Sequence, residues 1–150
     1  MEIDRTAPVI AAEDTLIQAP VELVWQILAD IANWPGWNPA IQRVVLFGPI
    51  RPGTEFHWVA GGLKIRSRLQ ALSRSDRIVW TGRTRGIRAV HVWSFEQRAE
   101  GTYVRTEESF HGLLARLFAK SMRRTLVKAL RQGLTALQHE AERRACAKAS

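Results

Sequence analysis

Between residues 41 and 110 apolar and polar positions alternate with a period near two, and on either side of that block the period lengthens to that of a helix. Segments 41–47, 54–60, 63–72, 77–84, 87–98 and 102–110 each read as a strand. They are divided by the turn pairs Gly48-Pro49, Pro52-Gly53, Gly61-Gly62, Ser75-Asp76 and Glu100-Gly101. A looser alternation over 9–18 adds a strand ahead of them. Links of hairpin length predict an antiparallel meander with one buried and one solvated face.

Ala19, Pro20, Val21 and Glu22 announce a helix, with proline at its first position and an acid in its first turn. Val21, Val24, Trp25 and Leu28 give it one apolar face, and Asn33, Pro35, Gly36 and Pro39 stop it. From residue 113 to about 144 a second helix is predicted. Leu114, Leu117, Phe118, Met122, Leu126, Leu130, Leu134 and Leu137 form its apolar stripe, and Arg116, Lys120, Arg123, Arg124, Lys128 and Arg131 lie away from it.

Side-chain parity assigns the two faces of the strands. Leu63, Ile65, Ser67 and Leu69 oppose Lys64, Arg66 and Arg68. Ala89, His91, Trp93 and Phe95 turn inward, as do Val104, Thr106, Glu108 and Phe110, which leaves Tyr103, Arg105 and Glu107 outside. Phe56, Trp58, Ile78, Trp80 and Gly82 share the inner parity. One histidine and one glutamate are thereby expected on a mostly apolar face.

Ile17 to Pro20 leading into Val24-Trp25, the run Trp34-Pro35-Gly36-Trp37-Asn38-Pro39, Pro52-Gly53-Thr54 before a strand, His91 to Phe95, and Gly101 to Val104 running on to Glu108 and Gly112 follow one another in a fixed order. In that order, over about residues 9–142, the chain resembles the START-like helix-grip superfamily, and more closely its polyketide cyclase/dehydrase and lipid transport (SRPBCC) branch. The resemblance implies an α+β helix-grip fold: a curved antiparallel seven-stranded sheet wrapped around a long C-terminal helix, with a short broken helix pair after the first strand. It implies one domain over residues 1–150 with short flexible termini, and a cavity between sheet and helix for a hydrophobic or aromatic small molecule, lipid or polyketide-like. Trp34 and Trp37 are then either an aromatic rim of that cavity or a plug between helix and sheet. Phe56, Trp58, Ile65, Leu69, Ile78, Trp80, Trp93, Phe95, Thr106 and Phe110 on the strands, with Phe118 and Met122 on the helix, are the other candidates to line it.

The chain has no nucleophile elbow, phosphate-cradling glycine loop, HExxH or CxxC, and its four histidines lie on separate elements without ligand spacing. Neither a metal nor a cofactor is expected. A neutral His91 beside a carboxyl group on Glu108 is the pair suited to acid-base chemistry, as a cyclisation followed by dehydration requires. Three functions fit: a carrier of a hydrophobic molecule, a cyclase or dehydratase working through His91 and Glu108, and an interaction module whose core is filled.

A formal charge of +8 directs attention to anionic partners. The basic face of the last helix suits contact with anionic lipid heads. The lack of interleaved aromatics and of a helix-turn-helix pattern argues against nucleic acid. The first fifteen residues hold no signal-like apolar run, and no window approaches the roughly 18 apolar residues of a spanning helix, so a cytoplasmic protein is expected. A single cysteine, Cys146, permits no internal disulfide framework.

Overall fold

The computed structural model describes residues 1–149. Strands β1 (Val9–Ile17), β2 (Ile41–Phe47), β3 (Glu55–Ala60), β4 (Leu63–Ser73), β5 (Arg77–Thr84), β6 (Ile87–Arg98) and β7 (Gly101–His111) form one antiparallel sheet in the order β1-β7-β6-β5-β4-β3-β2. Short links oblige β2 to β7 to pair with their neighbours in sequence. β1, separated from β2 by a helical segment, pairs instead with β7, from Val9 opposite Phe110 to Ile17 opposite Thr102. The period-two blocks predicted these strands to within a residue at each end.

Helix α1 (Val21–Ala29) buries Leu23, Val24, Ile27 and Leu28. Pro20 caps it in an extended conformation, one residue earlier than the expected first helical position. The first amide, on Val21, donates to Gln97 Oε1 at 3.0 Å. A 3-10 turn, Ile31–Gly36, contains Pro35 and completes the broken pair.

The C-terminal helix differs from the single helix predicted. It is divided into α2 (Leu113–Leu117) and α3 (Ala119–Ala149), with Phe118 between them at φ −119° and ψ 34°. No glycine or proline marks the break. It lets α2 bury Ala115 in a cluster with Val9, Ala11, Leu126 and Leu130. Leu117 and Phe118 are turned out to solvent, 65% and 55% exposed, so the lower end of the predicted apolar stripe is not core. α3 packs most closely along β1.

The outer face of the sheet is not uniformly wet. Residues 1–7 cross it, and Ile3 buries Val79 and Val92. The Asp4 amide donates to Ser109 Oγ at 3.2 Å, and Arg77 donates to the Met1 carbonyl at 2.5 Å. Glu107, expected in solvent, is buried and bonded to Arg105 at 2.7 Å.

Candidate functional site

Trp34 is the hub of the inner face. Its ring centroid lies 5.6 Å from that of Phe56, 5.3 Å from Trp58 and 5.2 Å from Trp80. Its indole N–H donates to the Leu28 carbonyl at 2.8 Å, satisfying one of the carbonyls that α1 leaves open at its C-terminus. Two tryptophans set in one turn thus have different settings. Trp34 is a plug, 2% exposed, whereas half-buried Trp37 borders a hollow of about 370 Å³ whose lining includes Pro39, Ala136, His139 and Arg143.

Cross-strand register brings the two ionisable candidates together. His91 stands directly opposite Glu108, and in the same row Trp80 stands opposite His91. His91 Nδ1 lies 3.6 Å from Glu108 Oε2, while Nε2 lies 2.7 Å from Thr106 Oγ1. The imidazole ring sits 4.7 Å from Trp80 and 5.5 Å from Trp93. Aromatic walls offer few dipoles to solvate charge, so burial disfavours the ionised form of both groups. It pulls His91 down to about 3 and pushes Glu108 up to about 8. Near neutrality the pair is therefore an imidazole facing a carboxylic acid. With the proton on Glu108, the arrangement that uses both ring nitrogens has Nε2–H donating to Thr106 and the Nδ1 lone pair facing the acid. Nδ1 and the Trp93 indole N–H are buried without a protein partner.

Phe56, Leu69, Ile78, Trp80, Trp93 and Phe95 join Trp34 in one buried cluster, with Trp58 packed against it. Phe110 and Met122 belong to a second cluster, beside Leu126 and Leu130. His91, Thr106 and Glu108 occupy the face between these two groups. At that end Ile65, Ala89, Phe110 and Met122 are only half-buried. Phe118, exposed at the helix break, does not join the lining.

Two features escaped the parity argument. Trp58 donates its indole N–H to Ser67 Oγ at 3.0 Å, and a Cβ on Gly82 would stand 3.2 Å from that oxygen. The Ser67 hydroxyl thus occupies the space a side chain at position 82 would need, and the β4–β5 register that pairs Ser67 with Gly82 puts it there. Trp25 also keeps a buried, unpartnered indole N–H. Among the described residues no group of three or more His, Cys, Asp or Glu side chains is placed to hold a metal.

The model of the polyketide cyclase/dehydrase and lipid transport family matches residues 9–142. The chain belongs to that family. Its fold is that of a hypothetical protein from Helicobacter pylori, with a TM-score of 0.82 at 17% identity over 91% of this chain and 90% of the other. A START superfamily protein from Mycobacterium smegmatis superposes with a TM-score of 0.78 at 14% identity, covering 89% and 97% of the two chains. An aromatase/cyclase from a Streptomyces species gives 0.78 at 20% identity over 90% and 94%. At these identities the likeness concerns the fold. No curated protein matches the chain.

Proposed function

We propose that the inner face of the sheet, between the two apolar clusters, binds a hydrophobic or aromatic small molecule through a donor from Glu108 and an acceptor from His91. The observation that carries this reading is the neutral His91–Glu108 couple, 3.6 Å apart in direct register among tryptophan rings. Aromatic walls suit a flat or polyene ligand, and a few convergent polar atoms orient it. The unpartnered Trp93 indole N–H supplies a further donor for a ligand oxygen.

The same geometry, an imidazole nitrogen facing a carboxyl group, carries a second reading, a cyclase/dehydratase. His91 Nδ1 is free to accept a proton from an acidic carbon while Glu108 protonates a departing hydroxyl, which leaves as water. Native mass spectra of purified and stripped protein, the stripped sample then offered a lipid and aromatic extract, test binding. A discrete mass lost and regained supports the site, and conversion of the regained molecule distinguishes enzyme from carrier. A bare mass throughout replaces both with the filled-core interaction module.

The α2 end offers a docking surface for delivery from a membrane. Leu113, Leu117 and Phe118 are exposed beside Arg116, Lys120, Arg123 and Arg124, an apolar tip within a basic collar that suits an anionic bilayer. Salt-sensitive cosedimentation with phosphatidylserine vesicles, absent with neutral ones, tests it.

A further inference from the structure

On the outer face, opposite the His91 side of the sheet, strand register builds a row of cations. His57 stands opposite Arg66, Arg66 opposite Arg83, Arg83 opposite Arg88, and Arg88 opposite His111. The ends of the row are already engaged. His57 packs on Phe47 at 4.7 Å, and His111 meets Asp4 at 2.8 Å. In the next row Arg68 is paired with Glu55. Among the described residues Arg66, Arg83 and Arg88 have no acidic partner, although like charges directly opposite one another on neighbouring strands destabilise a sheet. These arginines border a trough of about 930 Å³, with the backbone of Gly82 at its floor and the Gln70 and Thr81 side chains, 3.0 Å apart, along one side.

We propose that this trough is a binding site for a compact anion carrying two or more linked phosphoryl groups, as in a diphosphate. Strands lie about 4.8 Å apart, so the three guanidinium stems span about 10 Å, the reach of a short phosphate chain rather than of one phosphate. Guanidinium forks match phosphate oxygens bidentately, and an anion on Arg83 relieves repulsion on both sides at once. The two carboxylates on the trough's border, Asp4 and Glu55, are each held by another cation, His111 and Arg68, and leave the three arginines unneutralised. The site faces away from His91 and is independent of the ligand proposed there.

Isothermal titration at low ionic strength with inorganic pyrophosphate, ADP and orthophosphate tests it. Pyrophosphate should saturate one site, orthophosphate should bind at least about tenfold more weakly, and added salt should weaken both. ADP tighter than pyrophosphate identifies a nucleotide as the source of the diphosphate; equal affinities identify the phosphate chain alone. Arg83→Gln should lose about tenfold or more in affinity. Arg83→Lys should recover part of it, since the charge remains and the fork does not. Lys148→Gln, exposed near the end of α3, should bind as wild type does. Arg83→Gln should also melt no lower than wild type, because it removes repulsion. Absence of saturable pyrophosphate binding, equal binding of orthophosphate, or a loss shared by Lys148→Gln would overturn the proposal. So would a lowered melting temperature in Arg83→Gln, which would mark Arg83 as held by structural contacts.

Discussion

His91 Nδ1 faces Glu108 Oε2 at 3.6 Å, and burial keeps both groups uncharged instead of making them an ion pair. An ordinary salt bridge would draw the glutamate down and the histidine up. Both shifts run the other way, because the rings of Trp80 and Trp93 replace water around the pair.

This gives stability a defined pH dependence. His91, at about 3 in the fold against 6.5 when unfolded, binds fewer protons in the native state, so its contribution rises with pH between those values. Glu108, at about 8 against 4.5, binds more, so its contribution falls as pH rises from 4.5 to 8. The two slopes, each about 1.4 kcal/mol per pH unit, cancel where they overlap. The pair should therefore add a rise below pH 4.5, a plateau, and a fall of roughly 2 kcal/mol between pH 6.5 and 8. Urea unfolding of wild type and Glu108→Gln across this range isolates the fall, which the variant should lack. A difference between the two that does not change with pH would show Glu108 ionised in the fold.

Trp34→Phe keeps an aromatic ring but leaves the Leu28 carbonyl without its donor at 2.8 Å. The expected loss is about 1–3 kcal/mol, seen as a lower urea midpoint with an unchanged slope. Trp34→Ala, which also opens a void among Phe56, Trp58 and Trp80, should cost about 3–5 kcal/mol. Equal effects for the two would assign Trp34's contribution to the bond alone.

Phe118→Ser should change stability by less than about 0.5 kcal/mol, because that ring is 55% exposed. Leu130→Ala, at a position 3% exposed on the same apolar stripe, should cost about 2–5 kcal/mol. Vesicle cosedimentation should show the reverse ranking, with only Phe118→Ser weakening attachment. A large stability loss in Phe118→Ser would return that ring to the core and remove the apolar tip.

Pairing followed from the sequence wherever links were short. Turn pairs such as Gly61-Gly62 leave a strand no neighbour but the next one, and period-two parity then placed His91, Thr106 and Glu108 on one face. Parity does not give stagger across β4 and β5, where a bulge between Leu69 and Ala71 shifts the register. Nor does it say which aromatic fills the centre. Trp34 and Trp37 occupy similar local sequence, and only the path of the 3-10 turn sends one under the sheet and the other beside α3.

By itself the sequence determined what depends on local period and link length: strands, helices, their faces and the antiparallel order. Tertiary structure decided what depends on two distant segments arriving at one place. The break at Phe118 accompanies burial of Ala115 in one cluster with Val9, Ala11, Leu126 and Leu130, and the cover over Val79 and Val92 comes from the path of residues 1–7. Alignment of Arg66, Arg83 and Arg88 depends on the stagger of three strands. The neutral states of His91 and Glu108 arise because desolvation is set by every group around a side chain, most of them far away along the chain.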